Sequence, residues 1–391
     1  MDPKPNHPLM KIFSYQAPTR LVYGINSIDR LKEELKKFEF KNALIVTGST
    51  VCKTTACDKV REALNSIGKY SEFNAVRPEP DTSVLAGIAE SVRQSPPDLV
   101  IGVGGGSALD MAKVASMLVA NDKDPIKYFK GEPIVKRGPP IITVPTIAGT
   151  GSEVTPITVI VDDNTKMAIT HYTLYPAMAI IDPVLSLTVS PQAMASAGID
   201  ALCHAIESIM SVDSNPVSSA LAFEAISNVD DFFERAYCNG EDIEARNGLS
   251  LASVLAGMAF SNTGLCLPHG IAYTYAVQCS LPHGASVSLA EPYVVEFNTP
   301  AIPEKIDLIA AALGIDTSCM PASDVGCEVA DRITEMLDIA HLPQTLDELN
   351  LDESDIEPMV NDLLKKHARF IAKNPRKPSR EELIGLYESM F

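Results

Sequence analysis

The chain is short of positive charge: its 391 residues carry 32 Lys and Arg against 50 Asp and Glu, a formal net charge of −18. Nucleic-acid binding draws on clustered cations that neutralise phosphates, so this balance argues against such a partner. It does not set the sign of a small substrate, because a local pocket can oppose the global field. Also missing is any apolar run of the ~18–20 residues that a membrane-spanning helix needs. The Met1–Met10 stretch is polar and Pro-rich, without the apolar core of a secretion signal. None of the eight cysteines forms a Cys-x-x-Cys pair, so they read as reduced thiols rather than a disulfide framework or zinc knuckle. There is no G-x-S-x-G elbow, no Walker loop, no internal repeat and no low-complexity tract, which leaves acyl transfer and ATP chemistry without support. A soluble, cytoplasmic protein with neither nucleic-acid nor membrane partners is expected.

The length favours two domains. In the first half, short β-branched runs predict strands at 42–47, 69–75, 98–103, 139–144 and 177–181, alternating with helices at 55–67, 82–94 and 107–120. Continuous apolar strands separated by helices predict a parallel, doubly wound sheet. The segments 156–161 and 167–170, separated by Asp162-Asp163-Asn164-Thr165, predict a β-hairpin. After Asp182-Pro183 the periodicity is helical, at 191–210, 217–236, 244–260, 268–279, 303–313, 323–337, 354–372 and 380–390. The expected organisation is an α/β domain over 1–186 and an all-α domain over 187–391.

Val103-Gly104-Gly105-Gly106-Ser107 stands where a buried strand hands over to a helix. Glycines there let a ligand approach the peptide N–H groups, and a helix N-terminus offers donors and partial positive charge to a phosphate. The turn lacks the G-x-G-x-x-G spacing, so taken alone it is a phosphate site or a plain tight turn. Asp110 and Lys113 follow on the helix, where by themselves both are more often capping or solvated charges than ligands. The polar loop Thr143 to Glu153 follows another strand, beyond the carboxyl end where open parallel sheets bind ligands. Its hydroxyls and amides suit a diphosphate or ribose, and an irregular connection is the plainer reading.

Asp200 and His204 are i and i+4 on a predicted helix, so their side chains share a face. His269 and His283 each stand in Leu-Pro-His-Gly. One carboxylate and three imidazoles suit Fe(II) or Zn(II), although isolated histidines are more often structural. His7, His171, His341 and His367 have no comparable partners and read as structural or exposed.

These residues together resemble the iron-containing (group III) alcohol dehydrogenases. The likeness rests on Gly104-Gly105-Gly106-Ser107-x-x-Asp110-x-Ala112-Lys113, on Val144-Pro145-Thr146-x-Ala148-Gly149-Thr150-Gly151-Ser152-Glu153, on Asp200-x-x-x-His204-x-x-Glu207 and on the His269/His283 pair. It implies a dehydroquinate synthase-like fold, with an α/β dinucleotide-binding domain followed by a helical metal-binding and catalytic domain. It further implies metal and catalytic residues at Asp200, His204, His269 and His283, holding Fe2+ or Zn2+. Cofactor contacts are implied at Gly105, Gly106, Ser107, Asp110, Thr146 and Thr150, with a cofactor-approaching lysine at Lys166. Three positions depart from the family's pattern: Ile147 replaces a second threonine, Ile157 stands where an Asn is often found, and Gly48 stands where many relatives carry an acidic residue toward the ribose 2′-hydroxyl. Without that carboxylate, NADP(H) is admissible beside NAD(H). The implied activity is hydride transfer between NAD(P)(H) and a small alcohol or aldehyde, in a homodimer or larger homo-oligomer. A zinc polyol dehydrogenase of the same fold usually has Lys at position 107. A dehydroquinate-synthase-like lyase would need a basic phosphate pocket, and no Arg or Lys neighbours the ligand motifs.

Overall fold

Alternate residues along Asn42–Gly48 face opposite ways. Leu44 and Val46 pack with Ile88, Met111 and Val114, whereas Ala43 and Ile45 pack with Leu35, Val60 and Leu64. A strand apolar on both faces needs cover on both, which is the physical content of a doubly wound sheet. The computed structural model describes residues 12–163 and 165–391; His7, the Met1–Met10 stretch and Asn164 of the expected hairpin turn lie outside the described residues.

The strands are β1 (Arg20–Tyr23), β2 (Asn42–Gly48), β3 (Lys69–Val76), β4 (Leu99–Gly104), β5 (Ile141–Pro145), β6 (Ile157–Asp162), β7 (Thr165–Thr170) and β8 (Met178–Ile181). Six form one sheet in the order β1-β8-β5-β4-β2-β3, every pairing parallel. β6 and β7 form a separate antiparallel hairpin. The helices Thr55–Asn65, Thr82–Gln94 and Gly106–Ala120 link and cover the strands. Sequence periodicity missed β1, whose four residues sit at the sheet edge with no buried position.

The other unit is helical. Ser190 caps the helix Pro191–Met210 by accepting from Ala193 N at 3.3 Å, and Pro191 occupies its first turn. This helix packs against Pro216–Cys238, Ile243–Thr263 and His283–Asn298. The last of these was not among the expected helices. It contains Pro292 and is buried on almost every side, so it shows no apolar stripe. Two expected helices are corrected: 268–279 ends as Leu267–Ala272, and 354–372 breaks at His367 into Ile356–Lys366 and Ala368–Lys373.

The chain divides into Ala17–Val189 and a unit made of Ser190–Phe391 with the described residues up to Gln16. The boundary therefore falls at Ser190 where 187 was expected, and residues 12–16 leave the α/β unit in which the sequence had placed them. Their attachment is polar: Tyr15 Oη donates to Met258 O at 3.3 Å, and Gln16 N donates to Asn262 Oδ1 at 2.7 Å. Among the described residues no helix is long and apolar enough to cross a membrane.

Candidate metal centre and nucleotide turn

Three helices deliver the four candidate ligands. Asp200 and His204 lie one turn apart on Pro191–Met210, His269 sits in the short helix Leu267–Ala272, and His283 begins His283–Asn298. Gly284 allows the approach: a Cβ there would meet Ser196 O at 1.7 Å and Asp200 Cβ at 2.8 Å. Asp200 Oδ1 is 3.8 Å from His204 Nε2 and 3.9 Å from His283 Nε2, too far for hydrogen bonds. The rings of His204 and His269 are 4.9 Å apart, and those of His269 and His283 5.2 Å apart. One ligand atom from each residue lies within 4.8 Å of all the others. Donors about 2.0–2.2 Å from a shared ion can be no more than ~4.4 Å apart, so the widest pair has to close by a few tenths of an ångström.

The residues fit a divalent cation on other grounds too. Asp200 Oδ1 is buried and has no hydrogen-bond partner among the described residues. An orphaned, buried carboxylate oxygen is costly unless a cation satisfies it. Asp200, His204 and His269 are buried, while His283 is partly exposed.

Glu207 completes the surroundings, and sequence reading gave it no role beyond its place in the motif. It accepts from Cys266 N at 2.6 Å and is hydrogen-bonded to His269 Nδ1. With Nδ1–H donating to the carboxylate, the lone pair of His269 lies on Nε2. Glu207 is three residues after His204 on one helix, and that spacing was the available signal. Burial pushes both the Glu207 and the Glu291 carboxyls upward. Phe260 stacks on the His204 ring at 4.3 Å. His367, expected to be structural or exposed, is buried beside Tyr273 with ring centroids 5.4 Å apart, and Tyr273 is 6.0 Å from His283. Desolvation holds the His367 imidazole down at about 4, against the weaker pull of Asp362.

In the α/β unit, Gly105 caps the helix Gly106–Ala120, so Gly105, Gly106 and Ser107 form its N-terminus at the end of β4. Thr146 N donates to Gly104 O at 3.1 Å, which ties the threonine loop to the turn. Thr150 lies directly against Gly106, where a Cβ would be 2.8 Å from Thr150 Oγ1. Asp110 turns away from this group: its carboxylate accepts from Ser152 Oγ, from Lys113 Nζ at 3.2 Å and from Val159 N at 2.9 Å. Lys166 stands on β7, paired with Glu79 at 2.6 Å. Gly48 ends β2, where the register with β3 slips, and a Cβ there would meet Val76 O at 2.9 Å.

The family model for iron-containing alcohol dehydrogenases matches residues 18–183, and the model for the C-terminal part of the Fe-containing alcohol dehydrogenase family matches residues 194–391. The chain is 34% identical over 373 residues to long-chain-alcohol dehydrogenase 1 of Geobacillus thermodenitrificans, covering 94% of each protein. A crystal structure of a 1,3-propanediol oxidoreductase superposes with a TM-score of 0.92 at 31% identity, over 97% of this chain and 100% of that one. Sulfoacetaldehyde reductase from Bifidobacterium kashiwanohense, solved with NAD+, superposes with a TM-score of 0.88 at 27% identity, over 97% of this chain and 99% of that one. With both halves matched and the likeness running through nearly the whole length, the chain belongs to the iron-containing alcohol dehydrogenase family and is an oxidoreductase of alcohols or aldehydes.

Proposed function

We propose that the chain moves hydride between NAD(H) or NADP(H) and a small alcohol or aldehyde, with Asp200, His204, His269 and His283 holding Fe2+ or Zn2+. The reading is carried by Asp200 Oδ1, a buried carboxylate oxygen set among three imidazoles and without a hydrogen-bond partner among the described residues. Such an ion, when bound, would supply Lewis acidity to a substrate oxygen, favouring the alkoxide or polarising the carbonyl. A nicotinamide nucleotide held there would supply or accept the hydride. The chain's own work is positional. Glu207 fixes the His269 ring through Nδ1, Phe260 shields one face of His204, and Asp200 brings the negative charge that a cation needs. His283, the partly exposed member, marks the side open to substrate.

On the nucleotide side, the N-terminal N–H groups of Gly106–Ala120 with Ser107 would receive the diphosphate, and Thr146 and Thr150 would bound the cradle. Lys166 would add a cation near the cofactor. Gly48 supports acceptance of NADP(H) on steric grounds, since Val76 O leaves no room at that position for an aspartate that would repel a 2′-phosphate. The same reading has a cytoplasmic homodimer or larger homo-oligomer, which sedimentation of the purified protein tests.

Metal analysis of protein loaded with Fe2+ or Zn2+, combined with NADH and NADPH oxidation by a panel of short aldehydes, tests the whole reading. Full activity in His283→Ala, or in metal-stripped protein, would sink it.

A further inference from the structure

Lys113 is fully buried, at 0% exposure. Its ammonium donates to Ile157 O at 2.6 Å, Ser152 Oγ at 2.7 Å, Asp110 Oδ1 at 3.2 Å and Thr155 Oγ1 at 3.4 Å. Asp110 takes the Ser152 hydroxyl on the same Oδ1 and Val159 N on Oδ2, while its backbone carbonyl accepts from Thr158 Oγ1 at 3.2 Å. Apart from each other, all the groups these two residues grip lie between positions 152 and 159.

That stretch continues directly from the cofactor loop. Ser152 N donates to Thr150 Oγ1 at 3.2 Å, and Thr150 rests on Gly106, where a Cβ would lie 2.8 Å from Oγ1 and 2.9 Å from Cγ2. An unbroken series of contacts therefore runs from the buried ion pair through Ser152 and Thr150 to the glycine turn. Lys113 and Asp110 lie on the helix whose first residues form that turn.

We propose that Lys113, with Asp110 and Ser152, is a positioning clamp for the nicotinamide nucleotide. It holds the Thr146–Ser152 loop at a set separation from the glycine turn and so fixes the width of the cradle. The inference rests on reading the glycine turn as the nucleotide site. Stability alone is a poor reason for such a pair, because apolar replacements of buried ion pairs are often neutral or stabilising. Burial drives the Lys113 ammonium pKa downward, and Asp110 opposes that shift. Geometric specification is what four oxygens converging on one nitrogen provide.

Ser152→Ala removes the bridge while leaving the ion pair. The double variant Asp110→Asn/Lys113→Met removes both charges and leaves neither stranded. Cofactor affinity is read by NADH and NADPH fluorescence titration of the metal-loaded enzyme, beside metal content, melting temperature and both KM values. We expect cofactor Kd and KM to rise about tenfold in Ser152→Ala and about 10- to 100-fold in the double variant, with metal content and aldehyde KM unchanged in both. Wild-type cofactor Kd in both variants, with only a lower melting temperature, would overturn the clamp and leave the nucleotide reading standing. Failure of the unaltered enzyme to bind either nucleotide would overturn both.

Discussion

Gly284 lies so close to Ser196 that any side chain on it would enter the Ser196 carbonyl oxygen, the built Cβ being 1.7 Å away. The contact seats His283, its neighbour, 3.9 Å from Asp200 on the facing helix. Gly284→Ala has to push the two helices apart. Overpacking of this kind costs about 1–3 kcal/mol, and it displaces one ligand from the other three. We expect a lower melting temperature together with substoichiometric metal. A variant that keeps full metal at an unchanged melting temperature would contradict the packing argument.

Glu207→Gln tests the support behind His269. The amide keeps the shape but offers one oxygen acceptor, not two, to Cys266 N and His269 Nδ1. Outer partners of metal-bound histidines are worth about 10- to 100-fold in metal affinity or activity. Competition with a metal-binding dye should show affinity loss in that range, with activity largely recovered at high metal. Unaltered affinity would show that the hydrogen bond to His269 has no part in holding the ion.

Chelation should act on folding as well as on turnover. An ion that binds only the folded chain stabilises it by about 2.7 kcal/mol at a hundredfold excess over Kd. Calorimetry of stripped protein should show a transition that rises with added Fe2+ or Zn2+. In His204→Ala, which loses one of three buried ligands, the rise should largely disappear. Equal responses in the two proteins would mean that the ion binds elsewhere.

His367 gives the pH prediction. Its folded value is about 4 against 6.5 in the unfolded chain, because burial penalises the charged ring. Between those values the unfolded chain takes up a proton that the folded chain refuses, so stability rises with pH. Its contribution is complete above about 6.5 and is lost as pH falls toward 4. Allowing for screening, about 1–2 kcal/mol is at stake. His367→Gln should flatten the melting curve across that window. A parallel loss of stability in variant and wild type would assign the acid sensitivity to other groups.

The parts of this architecture legible in the sequence are those written locally. Apolar β-branched runs marked β2, β4 and β5 because a strand covered on both faces must be apolar throughout. Asp200 and His204 were readable as partners because helix geometry alone sets their spacing. Long-range packing was not readable. The helix His283–Asn298 is enclosed by others, so it lacks the polar face that makes a helix visible. Asp110 matched a cofactor motif, yet its carboxylate is taken up by Lys113, Ser152 and Val159. His367 seemed unpartnered because Tyr273, its neighbour in space, lies far off along the chain.

The bonds from Tyr15 and Gln16 to Met258 and Asn262 make Ala17–Val189 a continuous insertion inside the helical unit. During synthesis the inserted sheet has all its strands once β8 has left the ribosome, and domains of this kind fold as units. Tyr15 and Gln16, ahead of it, form their bonds to Met258 and Asn262 only once the helix Ile243–Thr263 has emerged. Translation order and assembly order therefore diverge: the earliest of the described residues to be made complete their contacts only after the middle of the chain has folded.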